Sequence, residues 1–334
     1  MLIETDYSAL ARAGQDGLPL KVGGGVVAIG NFDGVHRGHQ ALLAEGKALA
    51  GVLGKPLLAL TFEPHPRRHF NPQQPPFLLG DPVLRTALLH QAGADHVVQL
   101  RFDMLLAAVT AQEFIQNILL NALQVQHVIV GNNFVFGTKR GGDVAMLQAW
   151  GREKGFAVTA MPQIADVGGV RISSQAVREA VKNGQMATAE ELLGRPWILR
   201  GEVVRGDQRG RELGWPTANI GLAEYIPPKF GIYAARVQIE GEPEGTEKGG
   251  TWYDAVLNIG IRPMFALTLP LLEVHLLDVQ KDLYGKQLRV AFYDFIRAEA
   301  HFSSLDVLKA QIARDAKAAR EILRNRPPLG IIGA

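Results

Sequence analysis

Hydrophobic and polar positions follow two different patterns along the chain, and the change falls near Gly194. In the first half, short apolar runs of strand length are separated by longer segments with helical periodicity. The predicted strands are Val26–Ile29, Leu57–Phe62, His96–Leu100, His127–Val130 and Ala157–Met161, and the predicted helices are His39–Leu53, Pro82–Ala92, Ala111–Leu123 and Val144–Lys154. Buried strands that alternate with helices predict an α/β doubly wound parallel sheet with helices on both faces.

The second half alternates residue by residue, and Gly/Pro-rich turns separate its segments. The predicted strands are Trp197–Arg205, Gly231–Ile239, Tyr253–Ile259, Leu271–Val279 and Gln287–Phe295. This pattern predicts an antiparallel sandwich or barrel. A last helix begins near Ser304, and an apolar stripe is expected to pack it against the strands: Leu305, Leu308, Ile312, Ala316, Ala319 and Ile322. With Met186–Leu193 as a bridge, we predict two domains, residues 1–185 and 186–334.

Composition limits the class of protein without identifying it. The chain has 334 residues, which is long enough for two separate cores, and no cysteine, which excludes disulfides and favours a cytoplasmic location. No run approaches the roughly 20 apolar residues that a membrane span needs, and Met1–Ala13 has no apolar core of signal-peptide type. The formal net charge of +2 gives no argument for nucleic acid. We expect a soluble intracellular protein without a membrane or nucleic-acid partner.

The most informative segment, GNFDGVHRGH (Gly30–His39), lies between the first predicted strand and a helix. His36 and His39 are three residues apart, so they project from one side of a first helical turn, where free N–H groups and the helix dipole attract anions. Gly38 removes a Cβ and lets a phosphate approach closely. The candidate phosphate contacts of this turn are Gly30, Asn31, Phe32, Asp33 and Gly38. Five apolar residues of the helix are expected to share its buried face: Leu42, Leu43, Leu49, Val52 and Leu53.

Two other interpretations of the histidine pair stay open. One is a capped or partly buried helix start, and the other is half of a metal site. His65 and His69 form a second spaced pair that would suit zinc. However, the chain has no H-E-x-x-H segment and no cysteine, which disfavours zinc.

Three further segments of the first half carry polar side chains directly after strands or at a helix start. TFEPHP (Thr61–Pro66) holds Phe62 and His65 and is either a rigid turn or part of a site. GNNFVFG (Gly131–Gly137) holds Asn133 and Phe136, which suit a flat heteroaromatic ligand or a core beneath a hairpin. In RISSQAVR (Arg171–Arg178), the serines are N-caps or part of a phosphate clamp; the residues are Ser173, Ser174 and Arg178. Ligands of doubly wound sheets bind at the carboxyl ends of the strands, so the histidine turn, TFEPHP and GNNFVFG, which follow predicted strands directly, are expected to converge.

The second half contains one candidate phosphate cradle, GDQRGRELGWPTAN (Gly206–Asn219). The chain has neither a P-loop nor a Rossmann glycine signature, so ATP chemistry would need another cradle. Its candidate phosphate contacts are Gly206, Arg211, Gly214 and Pro216. Thr217 and Asn219 can supply oxygen ligands to hydrated Mg²⁺, although a solvated charged turn is the alternative. Glu273 lies on a predicted strand with His275 and Leu277 on the same face. It is either a solvent-facing residue or a base for an alcohol, and the strand pattern does not decide.

In this order, the motifs resemble those of the bacterial bifunctional riboflavin kinase/FMN adenylyltransferase family, also called FAD synthetases. The resemblance covers nearly the whole chain. Its motifs are GNFDGVHxGH, TFEPHP, VGxNFxFG, ISSxxVR, LGRP, GRxLGWPTAN, NIGxRP (Asn258–Pro263), EVHL (Glu273–Leu276) and LYGK (Leu283–Lys286). Any one motif is modest support, whereas the ordered set is highly specific. The resemblance implies a nucleotidylyltransferase-like first domain and a flavokinase-like barrel with a C-terminal helix.

The resemblance also implies two ATP-dependent steps. In the barrel, riboflavin is phosphorylated to FMN, with Thr217 and Asn219 on Mg²⁺ and phosphates and Glu273 orienting or deprotonating the hydroxyl. In the first domain, FMN is adenylylated to FAD and pyrophosphate is released. The resemblance places His36, His39, Ser174 and Arg178 at the triphosphate, and Phe62, His65 and Asn133 nearer the flavin. The phosphate of FMN is already anionic near pH 7 and needs no base, whereas the hydroxyl of riboflavin is a weak nucleophile that gains from a carboxylate base. This difference fits a chain in which Glu273 serves the kinase step and has no counterpart in the first half.

Two positions depart from the family pattern. Gln175 replaces a small hydroxyl residue, which puts one ATP contact in doubt, and Met264 follows Arg262-Pro263 where Thr is common. Both activities are still expected, from a monomer or weak homo-oligomer. One rival is an adenylyltransferase for a different acceptor, but such enzymes lack GWPTAN and EVHL. Another is a binding protein with worn active sites, which the presence of five candidate residues disfavours: His36, His39, Thr217, Asn219 and Glu273.

Overall fold

The computed structural model describes residues 1–15, 24–165, 169, 171–205, 215–242, 251–264, 267–327 and 329, with side chains for all of these except 13–15, 262–264 and 267–269. The chain forms two compact units. Unit 1 comprises mainly Met1–Gln74 and Arg85–Ile172, and unit 2 comprises Pro75–Leu84 and Ser173–Ile332. The predicted domain boundary at residue 185 stays a prediction.

Unit 1 is built on a six-stranded parallel sheet, as predicted. Its strands are β1 (Leu2–Thr5), β2 (Val26–Ile29), β3 (Leu57–Glu63), β4 (His96–Arg101), β5 (His127–Gly131) and β8 (Ala157–Met161). Their order in the sheet is β1-β4-β3-β2-β5-β8, and every neighbouring pair is parallel. The five predicted strands are confirmed. The pattern missed β1, whose four residues alternate between exposed and half-buried positions and so give only a weak signal.

Helices cover this sheet, and most lie where the periodicity predicts them. They are α1 (Tyr7–Gln15), α2 (Arg37–Leu53), α3 (Pro66–Phe70), α4 (Pro82–Gln91), α5 (Met104–Ala108), α6 (Ala111–Glu113) and α7 (Val144–Lys154). A π-helix (Phe114–Ala122) continues α6, a 3₁₀ turn covers Thr138–Arg140, and a two-stranded hairpin pairs β6 (Val135–Phe136) with β7 (Gly142–Asp143). The predicted apolar face of α2 was partly wrong, because Val52 is 87% exposed and Leu53 is also exposed. The contact between α2 and β3 is made close by Gly46 instead, because a Cβ at this position would lie 2.8 Å from Leu57 Cδ1.

Unit 2 contains a closed antiparallel barrel, which resolves the sandwich-or-barrel alternative. Its strands are β9 (Trp197–Val204), β10 (Ala218–Gly221), β11 (Gly231–Ile239), β12 (Trp252–Met264), β13 (Leu267–Leu276) and β14 (Gln287–Arg297). Their order around the barrel is β10-β13-β12-β11-β14-β9. The pattern missed β10, because Pro216 and Thr217 just before it and Asn219 within it are typical of a turn. Ala218 and Ile220 nevertheless point into the core.

Three helices of the described residues accompany the barrel: α8 (Ser174–Lys182), α9 (Met186–Leu193) and α10 (Leu305–Arg324). The C-terminal helix α10 packs on β11, β12 and β14, as predicted. Ala316 and Ala319 are buried, but Leu305 of the predicted stripe is 63% exposed because it lies in the first turn. An ion pair between Arg297 and the buried Asp315, 2.6 Å apart, anchors the middle of α10. No helix among the described residues is both long and apolar enough to cross a membrane.

Candidate active sites

The sheet order of unit 1 brings three of the predicted segments to neighbouring strand ends. GNFDGVHRGH follows β2, TFEPHP ends β3 and GNNFVFG follows β5, and these strands lie side by side as β3-β2-β5. The chain winds from β2 towards β3 on one side and continues through β5 on the other. The carboxyl ends of β2 and β5 therefore form the topological switch point, where doubly wound sheets bind ligands. The predicted convergence of these three segments is confirmed at the level of the strands.

His36 and His39 form a stacked pair at the start of α2. Their ring centroids are 3.7 Å apart and their planes differ by 16°. His36 is the N-cap of α2, and its Nδ1 accepts a hydrogen bond from the backbone N–H of His39 at 3.3 Å. Nδ1 of His39 is buried and has no hydrogen-bond partner among the described residues. Both imidazoles thus stand at a helix N-terminus, and one of them keeps a polar atom for a bound molecule.

The turn before α2 is shaped by the packing of Phe32. Its ring is buried and lies edge-on to His39, with the centroids 5.2 Å apart. A Cβ at Gly30 would meet that ring at 3.2 Å, and a Cβ at Gly38 would meet the His36 ring at 3.1 Å. Phe32 and Val35 both adopt positive φ, at 50° and 40°, which is costly, most of all for a β-branched residue. Strain of this kind clusters at functional sites.

The remaining phosphate candidates of this turn differ in exposure. Asn31 is exposed, and its carbonyl accepts a hydrogen bond from Thr61 Oγ1 of β3 at 3.2 Å. Asp33 is only 3% exposed. The carbonyl oxygen of Ile172 lies 3.8 Å from the position of a Cβ at Gly38.

The pKa of His39 lies well below its ordinary value of 6.5, firstly because burial removes its solvation and secondly because His36 is close. The folded protein therefore holds a neutral ring near pH 7, whereas the unfolded chain binds a proton below about pH 6.5. The free energy of unfolding should fall as the pH drops below that value, by up to about 1.4 kcal/mol per pH unit for one such group.

We expect His39→Asn to lose less stability than the wild type between pH 7 and pH 5, measured by urea unfolding. The exposed His301, replaced by Asn, is the control and should behave like the wild type; an identical decline in all three proteins would contradict the prediction.

The TFEPHP segment is held by a buried arginine that sequence reasoning missed. Arg85 of α4 is 2% exposed, and its Nη2 donates to Glu63 Oε2 at 2.8 Å. His65 is the N-cap of α3, where its Nδ1 accepts a hydrogen bond from the N–H of Arg67 at 3.1 Å. Phe62 is 9% exposed and lies edge-on to Phe102. This segment is therefore both a rigid turn and a neighbour of the histidine turn, since β3 lies beside β2.

The two aromatic candidates of GNNFVFG separate in the structure. Phe136 is 7% exposed and packs against Phe114 and Phe134, so it belongs to the hydrophobic core of unit 1. This is the alternative that the sequence left open for it. Asn133 is exposed in the turn that follows β5. Of these two residues, only Asn133 therefore presents its side chain at the surface of the switch-point edge.

The third segment opens α8 in unit 2. Ser173 is the N-cap and accepts a hydrogen bond from the N–H of Ala176 at 3.2 Å, and Ser174 is the first helical residue. Arg178 is 8% exposed; its Nε donates to the carbonyl of Phe77 at 2.8 Å, and its guanidinium lies 5.5 Å from the Phe77 ring centroid. Arg178 therefore ties α8 to Pro75–Leu84. Gln175 donates to Glu179 on the exposed face of the same helix, 2.8 Å away.

The barrel of unit 2 brings the second set of candidates together. Asn219 of β10 stands opposite Glu273 of β13, and Glu273 stands opposite Asn258 of β12. Leu272 and Val274, which flank Glu273, are buried in the core. The polar residues therefore share the other face of the sheet. Thr217, two residues before Asn219, is half-buried. Gly206, Arg211 and Gly214 lie outside the described residues.

Two contacts fix the geometry of this polar row. Nδ2 of Asn258 donates to Oε2 of Glu273 at 2.8 Å. His275 shares its face with Glu273, as predicted, and its Nδ1 donates to the carbonyl of Pro216 at 2.8 Å. Burial lowers the pKa of His275, which keeps its ring neutral near pH 7. Sequence reasoning assigned no role to Asn258; an amide at the centre of a strand was the signal that it missed.

The oxygen donors of the row suit a hard cation. Thr217 supplies a hydroxyl oxygen and Asn219 an amide oxygen, and such oxygens are ligands that Mg²⁺ takes together with phosphates and water. The described part of the chain holds no group of three or more His, Asp or Glu side chains arranged for a metal ion.

A doubly wound domain with stacked histidines at its switch point, followed by a barrel with this polar row, defines a two-domain nucleotide-dependent transferase. The family model for FAD synthetase matches residues 20–176, and that for riboflavin kinase matches residues 193–323. A bifunctional riboflavin kinase/FMN adenylyltransferase from Escherichia coli (strain K12) is 44% identical over 93% of this chain and 95% of its own length. The chain belongs to the bifunctional riboflavin kinase/FMN adenylyltransferase family.

Other known proteins agree with this assignment. A relative of the same description from Pseudomonas fluorescens is 42% identical over 90% of this chain and 93% of its own length. A crystal structure described as a macrolide-efflux protein from Streptococcus pneumoniae shares the fold, with a TM-score of 0.80 and 28% identity. It covers 98% of this chain and 99% of that chain. Its description applies to that protein, whereas both family models assign this chain to flavin enzymes.

Proposed function

We propose that the polar row of unit 2 is the kinase site and that the histidine turn of unit 1 is the adenylylation site. As a member of its family, the chain phosphorylates riboflavin to FMN and adenylylates FMN to FAD. The separation of two chemistries carries this assignment. A carboxylate lies among amide and hydroxyl groups in one unit, and stacked imidazoles at a helix N-terminus lie in the other.

In the kinase step, Glu273 serves as the base. The 5′-hydroxyl oxygen of riboflavin bonds to the γ-phosphorus of ATP, and the bond between that phosphorus and the β-phosphate oxygen breaks to release ADP. The hydroxyl proton passes to Glu273. Thr217 and Asn219 would hold Mg²⁺, which neutralises phosphate charge when bound. Pro216 would contact the nucleotide through a turn that His275 fixes, and Gly206, Arg211 and Gly214 stay candidates for the phosphates.

In the adenylylation step, a phosphate oxygen of FMN bonds to the α-phosphorus of ATP, and pyrophosphate leaves as the bond to the β-phosphate breaks. Since the attacking phosphate is already anionic, positioning and charge stabilisation suffice. His36, His39 and the free N–H groups of α2 would meet the triphosphate, joined by Ser174 and Arg178. Gly30, Asn31, Asp33 and Gly38 would line it, Phe32 would support His39 from behind, and Phe62, His65 and Asn133 would lie nearer the flavin.

The experiment that tests both assignments is chromatography of riboflavin incubated with the full chain, ATP and Mg²⁺. We expect FMN to appear first and FAD afterwards. FMN without FAD, with ATP and Mg²⁺ in excess, would refute the adenylylation half. FAD from supplied FMN, but no FMN from riboflavin, would refute the kinase half.

The magnesium assignment predicts a specific defect. Thr217→Val keeps the shape of the side chain and removes its hydroxyl, so it should raise the Mg²⁺ concentration for half-maximal FMN formation by about tenfold or more. Thr217→Ser keeps the hydroxyl and is the matched control. The measurement is a Mg²⁺ titration of the kinase rate at saturating ATP. An unchanged midpoint in Thr217→Val would remove Thr217 from the metal site.

The remaining proposals concern the domains, cellular location, oligomeric state and partners of the protein. We propose residues 1–185 and 186–334 as the two functional domains, in a cytoplasmic protein that acts as a monomer or weak homo-oligomer. A chain without cysteine supports a reducing compartment. A net charge of +2 provides no electrostatic basis for a nucleic-acid or membrane partner. The proposed partners are therefore the small molecules alone.

A further inference from the structure

Asn258 occupies a central position in the polar row that the assigned roles leave unexplained. It lies within β12, and its Nδ2 donates to Glu273 Oε2 at 2.8 Å. Asn219 stands on the other side of Glu273, on β10. The carboxylate proposed as the base is therefore bracketed by two amides on neighbouring strands, of which only Asn219 has an assigned role.

The other end of the Asn258 side chain is its Oδ1 atom. Its Oδ1 is buried and has no hydrogen-bond partner among the described residues. Exchanging the amide oxygen and nitrogen would place oxygen against the Glu273 carboxylate, so the observed orientation is the one that the carboxylate selects. Buried polar atoms are normally paired, and asparagine is disfavoured within strands. A fixed, buried acceptor beside the proposed base points to a donor on a bound molecule.

We propose that Asn258 serves riboflavin phosphorylation in two ways, an inference that rests on the proposed role of Glu273. Its Nδ2 holds the carboxylate in the orientation that receives the proton of the 5′-hydroxyl. Its Oδ1 accepts a hydrogen bond from a hydroxyl of the ribityl chain, so the group it recognises is a polyol. Because the amide is uncharged, it orients Glu273 without forming an ion pair with it.

Two variants of the full chain test this inference. Asn258→Leu removes both hydrogen bonds, so the kcat of FMN formation should fall about 10- to 100-fold and the KM for riboflavin should rise. The KM for ATP and the rate of FAD formation from supplied FMN should stay unchanged. Asn258→Asp places a second carboxylate against Glu273, and two such groups share a proton. The pH of half-maximal kcat should then rise by about one unit or more.

The pH profile separates positioning from a structural role, because a merely structural asparagine would change the amount of folded protein and leave that profile in place. Asn258→Asp replaces only the amide nitrogen, so it preserves the packing and decides the question if Asn258→Leu fails to fold. Tyr253→Phe is the matched control. Tyr253 lies on the same strand as Asn258, and its Oη donates a hydrogen bond to a different carboxylate, Glu242 Oε2, at 3.0 Å. Removing that bond should leave both activities unchanged.

Glu273→Gln is measured alongside these variants. If Glu273→Gln keeps the kinase rate, the proposed function of Glu273 fails, and the inference about Asn258 fails with it. If Glu273→Gln loses the rate while Asn258→Leu and Asn258→Asp keep the wild-type kcat and pH profile, only the inference about Asn258 is overturned.

Discussion

Replacing Glu273 by glutamine should stop FMN formation from riboflavin and leave FAD formation from supplied FMN intact. Glutamine keeps the size of the side chain, and its amide oxygen can still accept the hydrogen bond from Asn258. It has no basic oxygen to take the proton of the alcohol. General-base catalysis is worth about 10²- to 10⁴-fold, so a fall of that size in the kinase kcat is expected. The measurement is the initial rate of each product by chromatography, with ATP and Mg²⁺ saturating.

Glu202→Gln is the control for this variant. Glu202 is an exposed carboxylate on β9 of the same barrel, and its loss should leave both rates unchanged. A Glu273→Gln protein that retained about a tenth or more of the wild-type kinase rate would show that the carboxylate is not the base. Equal loss of FMN and FAD formation would contradict separate sites for the two reactions.

Replacing His39 by alanine should have the opposite effect, with FMN accumulating and FAD formation lost. His39 stacks on His36 at the start of α2, and its buried Nδ1 has no hydrogen-bond partner in the part of the chain that the structure describes. Because its pKa is lowered, we expect its neutral ring to donate a hydrogen bond to the triphosphate. Removing one such group from a charge-stabilising site typically costs about 10²- to 10³-fold in kcat. The measurement is the rate of FAD formation from FMN and ATP.

His127→Ala is the matched control for His39→Ala. His127 also has a pKa lowered by burial, and its Nε2 pairs with Thr159 Oγ1 at 2.8 Å. It lies at the amino end of β5, at the opposite edge of the sheet from the histidine turn. Its replacement should leave the FAD rate within about fivefold of the wild type. If both histidine variants lost FAD formation alike, the cause would be the stability of the sheet and not the site.

Most of the fold could be predicted because buried segments have characteristic hydrophobic patterns in the sequence. The central strands of unit 1 are buried on both faces, so β2, β3 and β5 are continuous apolar runs bounded by turn residues. The two strands that were not predicted, β1 and β10, show little of this hydrophobic pattern. β1 is short and one-sided, and the proline and polar residues around β10 are typical of a turn.

The candidate sites were predictable wherever a motif is contiguous. His36 and His39 share a helical turn, so their spacing alone places the two rings on one side. A motif does not show whether each of its side chains contacts a ligand or other residues of the protein, as Phe136 and Arg178 illustrate. For Phe136 the sequence left open a ligand contact and a packed core, and the structure buries its ring in the core. The phosphate contact expected of Arg178 stays a prediction, while its Nε donates to the carbonyl of Phe77.

By itself, the sequence determined the two kinds of sheet, the order of the domains and the residue types available for each reaction. The tertiary structure alone decided which polar groups meet. Glu273 contacts Asn258 because the antiparallel register of β12 and β13 brings together residues that lie 15 positions apart. Local patterns report the conformation and burial of each segment, but they do not report register. Register depends on how all six barrel strands close on one another, and that closure is a property of the whole unit.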